Sequence, residues 1–265
     1  MREVEQPGER HGYIGPRRVA RANDCIQKHS LHRQQARALV PAGLDPITCR
    51  GVAFFNIVVC HVDRMRPRFT PRALGVTYWY VAYRVQVRAA VIDGTSATSG
   101  GSIEGLYFLR SDVDHRLFGA LGNRMTDFRF HAADVQFSPG GEEWKLRVID
   151  PSREGDASLR MQRKSTDCLM PDSPFSSVEE RERVLKYAPF GLSVSSSGRS
   201  VRVAEVVRDE ALWRETPVEV VAAEWTYALT LGVHSMHLVR ATRVAAIDYV
   251  WRIGRTESLT SPRSS

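Results

Sequence analysis

Lysine is scarce in this sequence. The 37 basic residues comprise only 4 lysines, at positions 28, 145, 164 and 186, and 33 arginines, against 30 acidic residues. The arginines are scattered among acids, so the net charge of +7 is not gathered into the basic patch that is typical of a nucleic-acid-binding surface. Nucleic-acid binding therefore stays an alternative that rests on charge alone.

Paired cysteines and long apolar runs are also missing. The four cysteines (Cys25, Cys49, Cys60 and Cys168) contain no C-x-x-C pair, so neither a zinc site nor a disulfide framework is indicated. No apolar run approaches the roughly 20 residues of a membrane-spanning helix, and the first residues lack the apolar centre of a signal peptide. These absences predict free thiols and a soluble, cytoplasmic protein without a membrane partner.

The short motifs of nucleotide-binding proteins, serine hydrolases and zinc proteases do not occur. Two weaker patterns contain metal-ligand residue types. In Cys60-His61-x-Asp63, alternation on a strand lets only His61 and Asp63 share a face, and His234-x-x-His237 requires a helix that its glycine, serine and β-branched neighbours disfavour. The sequence predicts no metal site and no cofactor.

The overall composition is that of a globular protein, with 43% apolar and 25% charged residues in 265. No internal repeat or linker divides the chain. We expect a flexible N-terminal extension over residues 1–24, a single domain over residues 25–255 and a flexible tail over residues 256–265. The sequence leaves a homo-oligomer open.

Strand-like segments dominate, which predicts an α+β, mostly β, protein. Residues 52–62 form an apolar run without a wet face, and residues 76–91 alternate between two faces. A small-residue turn over residues 93–101 then indicates a hairpin. One face of the alternating segment carries Trp79, Val81, Tyr83, Val85 and Val87, and the other carries Tyr78, Tyr80, Arg84, Gln86 and Arg88. Further strands are predicted over residues 144–149, 158–163, 201–207, 218–223 and 237–253.

Helix signals are fewer. Residues 30–39 suit a short helix with Ser30 as its N-cap. Ser177 and Glu180 form a capping box ahead of a second helix. A third helix follows residues 111–115 (SDVDH), where an aspartate, Asp112 or Asp114, is expected to cap it, with catalytic use of Asp112 as the alternative.

Residues 105–137 combine strand-like runs with titratable side chains, as a pocket wall does. Phe128 and Phe130 share one face of this segment, and Asp127, Arg129 and His131 share the other. If the polar face points into the protein, these groups lie near the Gln86 and Arg88 strand. A buried aspartate beside a histidine or arginine is then either a general base or half of a structural ion pair.

The order of these segments resembles the DUF2071 family, a branch of the acetoacetate decarboxylase-like superfamily. Arg88 matches the arginine of the family's E-x-N-x-R strand, whereas Gln86 replaces the asparagine and Arg84 stands where an acid is usual. The resemblance runs from about residue 39 to 251 and implies a mostly antiparallel, cone-like β-barrel with a few peripheral helices and a polar cavity. Its second signature is fitted by Gly105, Tyr107, Phe108, Ser111 and Asp112.

The chain departs from the superfamily in its lysines. Acetoacetate decarboxylases form a Schiff base through a lysine whose pKa is lowered by a second lysine. The corresponding segment is residues 122–130, and no lysine lies between Lys28 and Lys145. A Schiff-base mechanism at the usual position is therefore excluded.

These observations give a hypothesis for function. The chain is expected to bind a small, carboxylate-bearing organic molecule in a polar barrel cavity, and any reaction would be acid–base chemistry of the lyase or isomerase type without an enamine. Asp127 and His131 are the catalytic candidates. The ligand-binding candidates are Arg84, Gln86, Arg88, Asn123 and Arg129. Among them Arg88 is the candidate for holding the ligand carboxylate by a two-pronged contact, and the alternative is that it tethers a loop or pairs with an interior acid such as Asp127. The alternative is a non-catalytic ligand-binding or structural protein whose polar interior is a satisfied network.

Overall fold

The computed structural model describes residues 17–92, 100–186 and 188–260. Within these ranges the chain forms fourteen strands and four short α-helices, in agreement with the mostly-β interpretation. The strands are β1 (Arg17–His32), β2 (Leu44–Pro46), β3 (Thr48–Cys49), β4 (Val52–Pro67), β5 (Val76–Ile92), β6 (Gly100–Val113), β7 (Phe130–Ala132), β8 (Asp134–Pro139), β9 (Glu143–Ile149), β10 (Ala157–Arg163), β11 (Phe190–Val194), β12 (Ser200–Arg208), β13 (Glu215–Trp225) and β14 (His237–Ser258). The helices are α1 (Arg33–Leu39), α2 (Arg116–Met125), α3 (Val178–Val184) and α4 (Thr226–Thr230).

Seven strands close into a ring in the order β1–β4–β5–β6–β11–β12–β14, because β14 pairs back onto β1. The pairings in the ring are antiparallel except that of β6 with β11. The short strand β7 also lies parallel to β6. The predicted closed and mostly antiparallel β-structure is confirmed.

The side chains of β5 alternate between two hydrophobic cores, one on each face of the strand. Val81, Tyr83 and Val85 are fully buried in a core outside the ring, whereas Tyr78 and Tyr80 pack inside it. Strand β4 is buried on both faces in the same way, as its continuous apolar run predicts. The two faces assigned to residues 76–91 therefore correspond to the outside and the inside of the ring.

A second layer covers the outer face of β4 and β5. It consists of β13, β10, β9 and β8, which continue the sheet from β14. Its apolar side chains, among them Leu146, Val148 and Leu159, join the core that contains Val81 and Val85. The β9–β10 pair that the sequence predicts is present and antiparallel.

A buried ionic cluster ties this layer to the ring. Arg110 on β6 is 2% exposed and donates to Asp112 Oδ1 and to Asp150 Oδ2, both at 2.7 Å. Asp150 also accepts hydrogen bonds from the backbone N–H of Gly155 and from Ser152 within its own turn. Asp112 is thus a strand residue in an ion pair, and not the helix cap for which it was a candidate.

Histidines are the N-caps of α1 and α2, for which the sequence predicted a serine and an aspartate. His115 Nδ1 accepts from Phe118 N at 3.1 Å and begins α2, while Asp114 accepts instead from Trp79 N on β5. His32 Nδ1 accepts from Gln34 N at 3.3 Å and begins α1, because Ser30 still belongs to β1. Ser177 is confirmed as the N-cap of α3, since its Oγ accepts from Glu180 N, but the Glu180 carboxylate accepts from Ser176 N and so does not close the predicted capping box.

Strand structure reaches further toward both ends of the chain than the sequence predicts. Strand β1 begins at Arg17, because residues 18–24 pair with both β4 and β14. Strand β14 continues to Ser258, and Leu259 bridges Val91. Three parts of the sequence interpretation lie outside the described residues. They are the rest of the expected extension (residues 1–16), most of the hairpin turn (residues 93–99) and most of the tail (residues 261–265). In the described part of the chain, no helix has the length and apolar character to cross a membrane.

Candidate functional site

The ring encloses a cavity of about 440 Å³. The strand register orders its wall from a polar to an apolar end. On β4, Asn56 is followed inward by Val58, Cys60 and Val62, and on β1 the apolar residue next to Lys28 on the same face is Ile26. The apolar part also contains Leu106, Phe108, Phe128, Tyr80, Tyr249 and Trp251. The cavity therefore offers one charged end and one hydrophobic, aromatic end.

Four neighbouring strands place one row of side chains at the polar end. Lys28 on β1 lies opposite Asn56 on β4, Asn56 lies opposite Arg84 on β5, and Arg84 lies opposite Phe108 on β6. All four side chains line the cavity. Because directly opposed residues of paired strands point to the same face, the row brings an amine, an amide and a guanidinium together.

The guanidinium of Arg84 has one buried donor without a partner among the described residues. Its Cζ lies 5.6 Å from the centre of the Phe108 ring, and its buried Nε has no hydrogen-bond partner among the described residues. None of the ion pairs of the described chain includes it. Asn56, which is 3% exposed, likewise has an Oδ1 without a donor within the described part of the molecule. Two polar groups in this row thus lack a hydrogen-bond partner among the described residues.

Lys28 is the buried one of two lysines that line the cavity, since Lys186 is 64% exposed. Its ammonium donates to the carbonyl oxygen of Leu185. Burial lowers the pKa of this amine to about 8, against the opposing attraction of Glu215 and Glu182. Since this pKa lies near neutrality, the amine both gives up and takes back a proton readily.

Other charged residues of the cavity are paired with one another. Arg208 donates to Glu210 at 2.7 Å, and Arg240 lies 2.7 Å from Glu182 and 2.8 Å from Glu215. Arginines that are engaged by carboxylates in this way are not free to hold an anionic ligand. Arg84 differs from both.

Helix α3 lies at the polar end and is held there by cavity residues. Gln86 Nε2 donates to Val184 O at 3.3 Å, next to the Leu185 carbonyl that Lys28 contacts. Arg181, which is 1% exposed, anchors the same helix through Asp167 at 2.6 Å. The last carbonyls of α3 therefore meet an amide and an ammonium, groups that suit a helix C-terminus.

The structure divides the site residues predicted from the sequence. Arg84 and Gln86 line the cavity. Arg88, two positions further along β5, is exposed and donates to Glu104 Oε1 at 2.6 Å. Arg88 is therefore paired with an acid, which is Glu104 and not Asp127, and it is not part of the cavity wall in which a ligand carboxylate was expected to meet it.

The remaining four predicted residues meet at a different place. Asn123, Asp127, Arg129 and His131 line a shallow depression on the outer surface with Tyr107 and Ser193. The expectation that Asp127, Arg129 and His131 point into the ring beside Gln86 is corrected, since all three are exposed. Phe128 and Phe130 occupy the inward face instead, in the apolar cluster that contains Tyr80, so the predicted alternation holds and its two faces are exchanged.

These four side chains make local contacts at the depression. Asn123 holds the backbone of Phe130 through two hydrogen bonds of 2.6 and 2.7 Å. Asp127 accepts from Ser193 Oγ at 2.6 Å and from Arg202 at 3.1 Å. Arg129 donates to the Tyr107 hydroxyl. Burial and the nearby Arg110 guanidinium lower the pKa of His131.

Sequence reasoning missed Lys28 and Asn56. Their position follows from the pairing of β1 with β4, which no local pattern reveals. A signal for Asn56 was nonetheless present, since it is the single polar residue within the apolar run of residues 52–60. No group of three or more His, Cys, Asp or Glu side chains suited to a metal occurs among the described residues. The His61 ring packs at a tilt of 38° against Trp79 instead, with ring centres 4.6 Å apart.

Solved structures with a similar fold share little sequence with this chain. The acetoacetate decarboxylase of Legionella pneumophila is 13% identical with a TM-score of 0.61, covering 99% of this chain and 95% of that one. An acetoacetate decarboxylase-like enzyme from Sphingomonas wittichii RW1 is 12% identical with a TM-score of 0.59 and covers 94% and 95%. The enduracididine biosynthesis enzyme MppR, complexed with pyruvate, is 10% identical with a TM-score of 0.57 and covers 94% and 93%. These likenesses show the acetoacetate decarboxylase-like fold.

The sequence itself gives the family. No curated protein matches it. The profile of DUF2071, described as an uncharacterised conserved protein, matches residues 25–234, which is most of the chain and includes β4, β5, β6 and the wall of the cavity that they form. The chain therefore belongs to the DUF2071 family.

Proposed function

We propose that this protein binds a small, carboxylate-bearing organic molecule inside the ring, with Arg84 as the residue that holds the carboxylate. The observation that carries the proposal is the Arg84 guanidinium, which lines the cavity without an ion-pair partner among the described residues. A guanidinium offers two parallel N–H groups that match the two oxygens of a carboxylate. An anionic ligand would satisfy both its charge and its unpaired donor.

Two further observations support this assignment. Asn56 and Gln86 flank Arg84 on the same wall and add amide groups that hydrogen-bond a polar ligand. One structure of similar fold, MppR, holds pyruvate, which is a small carboxylate. Its likeness to this chain is limited to the fold, so the proposal rests on the cavity of this protein.

The test is ligand-observed NMR titration with butanoate, using butanamide as the neutral control. Arg84→Gln is expected to weaken butanoate binding by about 10- to 100-fold, since one charge-assisted hydrogen-bond pair is lost. Arg88→Gln is the matched control, because Arg88 lies on the same strand but outside the cavity, and it should bind as the wild type does. Equal binding of butanoate by wild type and Arg84→Gln would refute the proposal.

A second candidate function is acid–base catalysis on such a ligand, without a covalent intermediate. Lys28 favours it, because its amine lies in the cavity wall and its pKa is lowered to about 8 by burial. The catalytic candidates from the sequence, Asp127 and His131, lie at the surface depression instead. Lys28 is thus the better placed proton carrier.

Pyruvate in deuterium oxide tests this second candidate. We expect exchange of the pyruvate methyl protons, followed by NMR, to be faster with wild type and to return to the background rate in Lys28→Met. Lys186→Met, at the exposed rim, should exchange as the wild type does. Borohydride should trap no adduct with pyruvate, and a reduced adduct on Lys28 would show a covalent route instead.

A further inference from the structure

One end of the cavity is charged and the other is hydrophobic, and this difference indicates which chemical groups the ligand carries. We propose that the natural ligand is an amphipathic monocarboxylate, in which a single carboxylate is joined to a hydrophobic, preferably aromatic body. This inference rests on the proposed function and narrows its ligand class.

The charge balance of the polar end leaves room for one negative charge. Arg240 contacts two carboxylates, Glu182 and Glu215, and its single positive charge neutralises one of them. Lys28, which both glutamates attract, neutralises the other. Asp167 is matched by the buried Arg181. These five groups and Lys28 together are neutral when Lys28 is protonated.

The other charged side chains at the cavity, apart from Arg84, are either paired with an opposite charge or exposed to water. Arg208 is matched by Glu210. Lys186 and Arg88 share Glu104, but both basic side chains are more than half exposed, so water compensates the excess. Arg84 is left as the one uncompensated cation of the cavity wall among the described residues. A dicarboxylate would bring a second charge that meets only the solvated Lys186.

The apolar end is built for a ring or a branched chain. Phe108 and Phe128 stack with centres 4.1 Å apart, and Trp251 meets Phe128 edge-on at 5.8 Å. Val58, Cys60 and Val62 of β4 continue the same surface. Because Arg84 lies over Phe108, a ligand that holds the guanidinium begins directly beside this aromatic wall.

The size of the cavity points the same way. Its volume of about 440 Å³ lies in the range of about 300–1,000 Å³ that is usual for drug-sized ligands. A pyruvate-sized acid at Arg84 would leave most of the hydrophobic wall in contact with water. Filling that wall with an apolar body is favourable by the area it removes from water.

Matched probe pairs test the proposal by calorimetric titration. The first pair, butanoate and 4-phenylbutanoate, differs only in the phenyl ring, and we expect the phenyl acid to bind on the order of 50-fold more tightly. The second pair is 4-phenylbutanoate and 4-phenylbutanamide, and the neutral amide should bind at least about tenfold more weakly. The third pair is hexanoate and adipate, and the dicarboxylate should be the weaker ligand.

Variants locate the effect within the cavity. Phe128→Leu is expected to reduce the preference for 4-phenylbutanoate over butanoate about five- to tenfold, with circular dichroism confirming the fold. Phe69→Leu is the matched control, since Phe69 is 84% exposed, and it should leave the preference unchanged. The wild-type comparison of probes needs no variant and decides the question if Phe128→Leu does not fold.

The outcomes separate this inference from the proposed function. If butanoate and 4-phenylbutanoate bind equally, and both depend on Arg84, the inference falls and the proposed function stands. If adipate binds more tightly than hexanoate, the charge argument is overturned. If none of the carboxylates depends on Arg84, both fall together.

Discussion

Replacing Asp112 by asparagine should change how the stability of this protein depends on pH. Asp112 is fully buried, and its Oδ2 has no hydrogen-bond partner in the described structure. Arg110 is shared between Asp112 and Asp150, but Asp150 also accepts from Ser152 and Gly155. Asp150 is therefore the better stabilised anion, with its pKa lowered to about 2, and Asp112 is the carboxyl that takes up a proton.

The magnitude follows from the shift. Burial raises the pKa of Asp112 from 3.8 to about 7, against the opposing attraction of Arg110. The folded state then binds more protons than the unfolded state between about pH 4 and 7, so stability is lost as pH rises through this window. A change of one pKa unit corresponds to about 1.4 kcal/mol, which makes the full effect on the order of 4 kcal/mol.

Urea unfolding at a series of pH values from 4.5 to 8 measures this effect. The free energy of unfolding of the wild type should fall across this range relative to that of Asp112→Asn, which carries no titrating group at this position. The exposed Asp172→Asn serves as the matched control and should follow the wild type. Parallel curves for wild type and Asp112→Asn would refute the reasoning, because they would show that Asp112 keeps the same charge in the folded and unfolded states.

The remaining predictions concern the close approach of β6 to β11 and the proton on Lys28. Gly105→Ala would place a Cβ 2.6 Å from Phe190 O and 2.7 Å from Leu192 Cγ, so thermal unfolding should show a loss of stability of about 1–3 kcal/mol. Gly101→Ala on the same strand is the control, because its Cβ would meet only Val91 Cγ2 at 3.5 Å. Equal melting temperatures for the two variants would contradict the clash. Carboxylate affinity should decline above about pH 8 as Lys28 loses its proton, and a titration of butanoate at pH 7 and 9 that shows no change in wild type would argue against a charged Lys28 at the site.

Alternation in β5 allowed the sequence to predict the two faces of this strand correctly, and with them Arg84 and Gln86 as cavity residues. The alternation of side chains between the two faces of a strand is a property of the local sequence. It can therefore be recognised without knowing which strands become neighbours. The predicted strands in the second layer and in β12 and β14 follow from the same local rule. The family resemblance supplied the closure of the ring, which alternation alone does not contain.

The rest of the site depends on which strands become neighbours. Lys28 and Asn56 reach the cavity through the pairing of β1 with β4, and residues far apart in sequence carry no local sign of that pairing. Asp127, Arg129 and His131 were assigned by alternation to one inward face. The alternation itself holds, since Phe128 and Phe130 are buried and the three polar residues are exposed, but alternation alone does not tell which of the two faces points into the ring.

The pairing of β1 with β14 also constrains the order in which the protein is completed. These strands are separated by more than two hundred positions, and each holds the other over most of its length. Contacts between such distant segments are slow to form, since the loop entropy between them must be lost first. During synthesis, β1 emerges from the ribosome long before its partner exists. The cavity is therefore a late product of folding, and a chain interrupted within β14 should lack it even where β4, β5 and β6 have already paired.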